Sequence, residues 1–284
     1  MTDAAPLPAF SWPIDPSQRP EIFPTSMAQI TPEWAWGGSD GQGVRVCIVD
    51  SGIEADHPAL EGAVRGGVIV ERGPEGVVLR EEPHEDLFGH ATACAGIIHK
   101  IAPAAELYSA RVLGQSLKGG GDALIAGVEW AIESEMHVIN LSLSTRKPEH
   151  AERLHHLADE AYFHNIAIVA SANNTPVRSY PWLFSSVISV ASHAEPDPFT
   201  FYYNPKPPVE FTAPGVDLQL AWAGKSTSSG TGNSYATPHI AGIAALILSK
   251  HPGMTVFQLK TVLYYTAKNV REALLKEGTR VSGI

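Results

Sequence analysis

The sequence predicts an α/β fold of three layers, a mainly parallel twisted sheet with helices on both faces. Short apolar runs and helix-period patterns alternate from Val44 to about Ser192, as in strands joined by crossover helices. The runs themselves, such as "VRVCIVD" and "IAIVAS", are apolar almost throughout, which marks strands buried on both faces. No repeat or linker divides the 284 residues, so a single domain is expected over residues 41–284, preceded by an arm over residues 1–40.

The arm is rich in Pro, Trp and polar residues and reads as irregular. Val44–Asp50 is the first buried strand and ends in a loop at Ser51-Gly52. Residues 67–81 hold two β-rich runs around Gly73, Pro74 and Gly76, a surface hairpin. A helix is expected from about Ala91, a strand over "AELYSARV", and a helix over "DALIAGVEWAIESE" capped by Asp122. "HVINLSL" is a strand, and Leu154, Leu157, Ala158, Ala161 and Tyr162 share a helix face. "IAIVAS" and "SVISVAS" are two more strands. Ile240, Ile243, Ala244 and Ile247 recur at i, i+3, i+4 and i+7, a helix beginning near Ser234 with Pro238 expected in its first turn, and a last helix starts near Thr255.

The composition, 44% hydrophobic and 18% charged, is that of an ordinary globular protein. Thirty acidic against 20 basic residues give a formal charge of −10, which argues against nucleic acid or an anionic membrane as partner. No apolar run is long enough to span a bilayer. The start "MTDAAPLPAFSWPIDPSQRP" lacks the basic and apolar regions of a signal peptide, so a cytoplasmic protein is expected, taking Met1 as the natural start. Two cysteines, Cys47 and Cys94, cannot make a disulfide framework.

Parallel sheets of this kind collect functional groups at the carboxyl ends of their strands. Asp50, "LSLS" (Leu141, Ser142, Leu143, Ser144) and "SANN" (Ser171, Ala172, Asn173, Asn174) are three polar strand ends, expected to converge on one edge. Ser234, in "GNSYATPHIAG", reads equally as a helix N-cap or as a nucleophile beside the free N–H groups of a helix start. A nucleophilic serine needs a base and a third group to orient it. Of twelve histidines, His90 stands out, opening a helix of small residues in "DLFGHATACAGII". His155 and His156 are adjacent on a helix and do not share a face. Asp50 closes an otherwise apolar strand, where a carboxylate needs a partner unless it merely forms an Asx-turn.

Together, "VCIVDSGIEADHPAL", "GHATACAGI" and "GNSYATPHIAG", in that order and supported by "VINLSLS" and "IVASANN", resemble the subtilisin-like serine proteases. The resemblance runs from about Gly43 to Ala267. It implies a serine endopeptidase of three-layer subtilisin-like fold, with Ser234 as nucleophile, His90 as general base and acid, and Asp50 orienting the imidazole. It implies an oxyanion hole from Asn174 and the Ser234 N–H. Gly119, Gly120 and Gly121 resemble the edge that pairs with extended peptide, and the segments Leu141–Ser144 and Ser171–Asn173 resemble the walls of the pocket before the scissile bond. The implied partner is a peptide or protein substrate, and no cofactor is implied. The apolar run from His90 into the next strand lacks the loop that holds calcium in calcium-binding relatives, so the strong calcium site is expected to be absent.

The block also departs from the family's pattern. Ala91 follows the histidine in place of Gly, Asn233 precedes the serine in place of Thr, and Asn173 stands before the oxyanion Asn in place of Gly. Asn233 could itself donate to an oxyanion, and Asn173 would suit a position with positive φ. Cys94, one turn after His90, is expected to give bulky mercurials a route to inhibition. The "HATACAGI" block resembles subtilases that process precursor peptides. The alternatives are a ligase or macrocyclase using the same acyl-enzyme, and a pseudoprotease that only binds peptide.

Overall fold

The computed structural model describes residues 29–74 and 76–281. Most of the expected arm, residues 1–28, lies outside them. Its described part is not irregular: Pro32–Trp36 is a short helix, α1. Thr31 caps it by accepting the Trp34 N–H, and Pro32 occupies a first-turn position that needs no donor.

The strands follow the apolar runs. They are β1 (Arg45–Asp50), β2 (Val64–Gly73), β3 (Gly76–Arg80), β4 (Glu106–Arg111), β5 (Val138–Leu141), β6 (Ala167–Ser171), β7 (Ile188–His193), β8 (Tyr202–Tyr203) and β9 (Phe211–Pro214). They form one nine-stranded sheet in the order β3-β2-β4-β1-β5-β6-β7-β9-β8. From β2 across to β9 every neighbouring pair is parallel, while β3 and β8 close the edges antiparallel. A separate hairpin joins β10 (Leu218–Trp222) to β11 (Ser226–Gly230). The chain leaves β1 for β2 and β4 on one side, then crosses to β5 on the other. The crevice at the carboxyl end of β1 is therefore the place where such a sheet opens to a ligand.

The helices are α2 (His90–Ile101), α3 (Gly121–Glu133), α4 (Ala151–Phe163), α5 (Asn233–Lys250), α6 (Val256–Thr266) and α7 (Lys268–Val281). The pleat of β1 sorts the two cores. Val46 and Ile48 pack with α2, α5 and α6, whereas Cys47 and Val49 pack with α3 and α4. Cys47 and Cys94 thus lie on opposite faces of the sheet, and both are free thiols. No helix among the described residues is long and apolar enough to cross a membrane.

Two expected helix starts differ. Asp122 does not cap α3; the cap residue is Gly120, and Asp122 sits in the first turn, where its charge still complements the helix dipole. Pro238 is not in the first turn of α5, which begins at Asn233, but inside the helix. Its missing N–H would have bonded the carbonyl of Ser234, four residues back.

Candidate active site

Asp50 ends β1 at the mouth of the crevice and is fully buried. Its Oδ1 accepts the Ser51 N–H at 2.8 Å, and its Oδ2 lies 2.8 Å from His90 Nδ1. This is the partner a buried carboxylate requires. His90 is the first residue of α2, 7% exposed, and reaches Asp50 because Gly89 precedes it with φ of 117°. A Cβ on Gly89 would stand 2.5 Å from the Trp222 ring, so both the backbone conformation and the close approach call for glycine. Burial pulls the His90 imidazole toward neutrality. The charge of Asp50, its hydrogen bond and the charge of Asp86 outweigh that and raise its pKa above the usual histidine value.

Ser234 is the second residue of α5 and not its N-cap, a place held by Gly232. Because Pro238 leaves the Ser234 carbonyl without its helical donor, that oxygen is met from below. Ser142 Oγ donates to it at 2.7 Å and Cys94 Sγ at 3.7 Å. The Cys94 thiol also contacts Ser142 Oγ at 3.4 Å. Cys94 lies with the carboxylate of Asp50 and the imidazole of His90 in a cluster whose polar atoms fall within 4.8 Å of one another. Burial pushes this thiol well above its ordinary pKa, as it does that of Cys47. The ring of Tyr235, next to the serine, stands 5.1 Å from the imidazole of His90.

Asn174 lies on the loop after β6, exposed, with its Oδ1 accepting the Asn233 N–H at 2.9 Å. This bond directs its amide toward the serine. A Cβ built on Gly232 would be 3.3 Å from Ser234 Oγ and 3.4 Å from Asn174 Nδ2, so hydroxyl and amide border one small space. Gly232 itself has φ of 167°, extended backbone that any residue adopts; the turn needs its small size and not its conformational freedom.

Asn233 departs from its expected role. Its Nδ2 donates to the carbonyls of Ala172 and Asn173 at 3.2 and 3.3 Å, and its Oδ1 accepts from Ser192 N and Oγ, both at 2.9 Å. The side chain staples the start of α5 to the ends of β6 and β7 and has no donor left for an oxyanion. Asn173 is likewise not among the residues with positive φ. Its Oδ1 accepts from Thr175 N and Oγ1, an Asx-turn that shapes the loop carrying Asn174.

The expected pocket segments do come together. Leu141–Ser144 and Ser171–Asn173 leave adjacent parallel strands, and buried Ser179 bonds both, 2.9 Å from Ser144 Oγ and 3.5 Å from Asn173 Nδ2. The Ser142 side chain is buried under Ser234 instead of facing the pocket, and Leu141 is fully buried. Gly119 and Gly120 are exposed on the rim of a cavity of about 440 Å³ that also takes in Leu87, Val112 and Leu113. Gly121 is buried beneath His150, whose ring leaves no room for a Cβ there. Sequence reasoning missed Ser51 and Asp86, which tie Asp50 to His90. An acidic residue just ahead of an apolar helix pattern was the available signal for Asp86.

A sequence profile of the subtilase family matches residues 41–280. The chain belongs to the subtilase family. Subtilisin E of Bacillus subtilis strain 168 is 34% identical over 263 residues, covering 87% of this chain and 66% of subtilisin E. Subtilisin of Bacillus pumilus is 34% identical over 263 residues, covering 87% of this chain and 92% of that protein. Among solved structures, a cold adapted subtilisin-like serine proteinase superposes with a TM-score of 0.65 at 23% identity, over 82% of this subtilase and 87% of that chain. That likeness shows the fold, the three-layer architecture expected from the alternating strands and helices.

Proposed function

We propose that this subtilase is a serine endopeptidase that cleaves peptide bonds through an acyl-enzyme, with Ser234, His90 and Asp50 as its triad. The observation that carries the reading is the buried 2.8 Å bond between Asp50 and His90 at the mouth of the sheet, on the side where α5 presents Ser234. Asp50 holds the proton on Nδ1, so Nε2 keeps the lone pair that takes the hydroxyl proton of Ser234. The same nitrogen then returns that proton to the leaving amine, and Asp50 stabilises the imidazolium in between. Asn174 Nδ2 and the Ser234 N–H, at the positive end of α5, receive the charge that develops on the carbonyl oxygen. Extended substrate pairs along Gly119–Gly120, with Leu143–Ser144 and Ala172–Asn173 opposite.

The finer reading, processing of a precursor peptide or protein, rests on the "HATACAGI" block. The reading needs no strongly bound calcium, a point supported by α2 running unbroken from His90 to Ile101. A fluorophosphonate probe applied after chelator treatment tests both statements. Labelling that vanishes in Ser234→Ala supports the triad. A native protein that takes no label is a peptide-binding pseudoprotease, and one that labels only with added calcium refutes the cofactor reading. Product masses on a candidate precursor separate hydrolysis from ligation.

A further inference from the structure

Asp86 is 9% exposed and sits in the loop between β3 and α2. Its carboxylate accepts five hydrogen bonds. Oδ1 takes Ser51 Oγ at 2.8 Å, Phe88 N at 2.9 Å and Gly89 N at 2.7 Å. Oδ2 takes Thr92 N at 2.9 Å and Thr92 Oγ1 at 2.7 Å. Ser51 Oγ, having donated to Asp86, accepts the Ala91 N–H at 3.1 Å. The free N–H groups of the first turn of α2 are therefore capped by Asp86 and by the residue that follows Asp50. No side chain of the cap residue Gly89 could do this.

The consequence is geometric. Asp50 belongs to β1 and His90 to α2, and no covalent path shorter than forty residues joins them. Their contact depends on how the end of the strand is bolted to the start of the helix. We infer that Asp86 is a positioning residue for the proposed peptidase reaction: through Ser51 and Thr92 it clamps the strand end that carries Asp50 to the helix turn that carries His90, and it sets a second negative charge beside the imidazole. The groups facing His90 are Asp50 from β1, Asp86 from the loop, Cys94 from α2 and Tyr235 from α5. Among the described residues only Asp50 touches the ring as an acid; the charge of Asp86 acts in the same direction.

This inference rests on the serine-endopeptidase reading, and the experiment separates the two. Native protein is first titrated with the fluorophosphonate probe; absence of labelling in Ser234-intact protein defeats the endopeptidase reading and this inference with it. With labelling in hand, kcat and KM are measured against pH for Asp86→Asn, Asp86→Glu and Thr92→Val. A misplaced dyad costs on the order of 10–100-fold in rate. Asp86→Asn is expected to lose that much in kcat with little change in KM, and to shift the acid limb of kcat/KM to lower pH, because His90 gives up its proton more easily. Asp86→Glu keeps the charge on a longer arm, so kcat stays low while the acid limb returns toward the native position. Thr92→Val removes the hydroxyl's bond to Asp86, together with the one it accepts from the Glu54 N–H, and keeps the charge, so kcat falls and the limb does not move. If Asp86→Asn does not fold, Ser51→Ala combined with Thr92→Val replaces it, with kcat expected to fall and the limb to stay. Native kcat in Asp86→Asn or in that double variant overturns the inference, as does an acid limb in Asp86→Asn that coincides with the native one.

Discussion

A methyl group on Gly232 would enter the space that Ser234 Oγ and Asn174 Nδ2 share, at 3.3 and 3.4 Å. The extended backbone there accepts alanine without strain, so Gly232→Ala is expected to fold normally, with stability within about 1 kcal/mol of native. Its kcat is expected to fall on the order of tenfold or more, since sub-ångström displacement of reacting groups is costly. Parallel denaturant curves and steady-state kinetics check this; a variant with native kcat would place the reacting carbonyl elsewhere. At this scale the sequence is legible where chemistry is rare. A carboxylate closing an apolar strand, and a histidine opening a helix of small residues, announce Asp50 and His90. Roles that depend on where a side chain points are not legible. Asn233 was open to an oxyanion role and is instead consumed by four structural bonds. Ser142 was expected at the substrate and lies beneath the nucleophile.

At the scale of the element, α5 is an interrupted helix that has been repaired. Pro238 orphans the Ser234 carbonyl, and the single proton of the Ser142 hydroxyl is spent on it. The Ser142 oxygen accepts from Asn140 Nδ2 at 3.0 Å and from Cys94 Sγ, which fills its hydrogen-bonding capacity. Ser142→Ala strands the Asn140 amide, whose Oδ1 already has no partner among the described residues, and leaves the Ser234 carbonyl only the weak Cys94 thiol at 3.7 Å. Each stranded buried group costs about 1–3 kcal/mol. Ser142→Ala is therefore expected to lower the urea midpoint markedly at unchanged m-value, and a midpoint equal to native would show that another donor takes over. Elements written as continuous apolar runs, β1, β5 and β6, and the long buried helix α5 are legible in the sequence. The short α1 and the strands β8 to β11 are not. Residues 200–230 mix Pro, Gly and Ser with the aromatic run Phe201–Tyr203 and single aromatics, and their strands are defined by pairing with β7 and with each other, not by a pattern of their own. The final helical stretch breaks at Ala267 into α6 and α7, a boundary without Gly or Pro to mark it.

Across the whole molecule, the crossover pattern was legible because parallel strands must return through helices. The order of strands, with β4 inserted between β2 and β1, was not, since it depends on contacts far apart in sequence. That topology scatters histidines through the packed layers, and their titration ties stability to pH. His239, on α5, is 5% exposed, and burial lowers its pKa to about 4, with nearby His193 and Lys100 acting the same way and its bond to the Tyr235 carbonyl opposing them. The half-buried His84, His137 and His193 are lowered as well, first by burial. In the unfolded chain each takes a proton near the ordinary histidine value of about 6.5. For His239, the unfolded state thus binds more protons than the folded state between about 6.5 and about 4, and stability present above that window is lost as pH falls through it. The share of His239 is on the order of 3 kcal/mol. His90 has the opposite sign: its raised pKa adds stability that is complete below the ordinary histidine value and disappears as pH rises through its folded value. His239→Asn keeps a donor for the Tyr235 carbonyl and cannot titrate. Its stability, followed by urea unfolding from pH 8 down to pH 4, is expected to decline less steeply than that of the native protein below about pH 6.5, with the curves closest in slope above pH 7. Two curves of equal steepness between those values would mean that folding does not lower the pKa of His239.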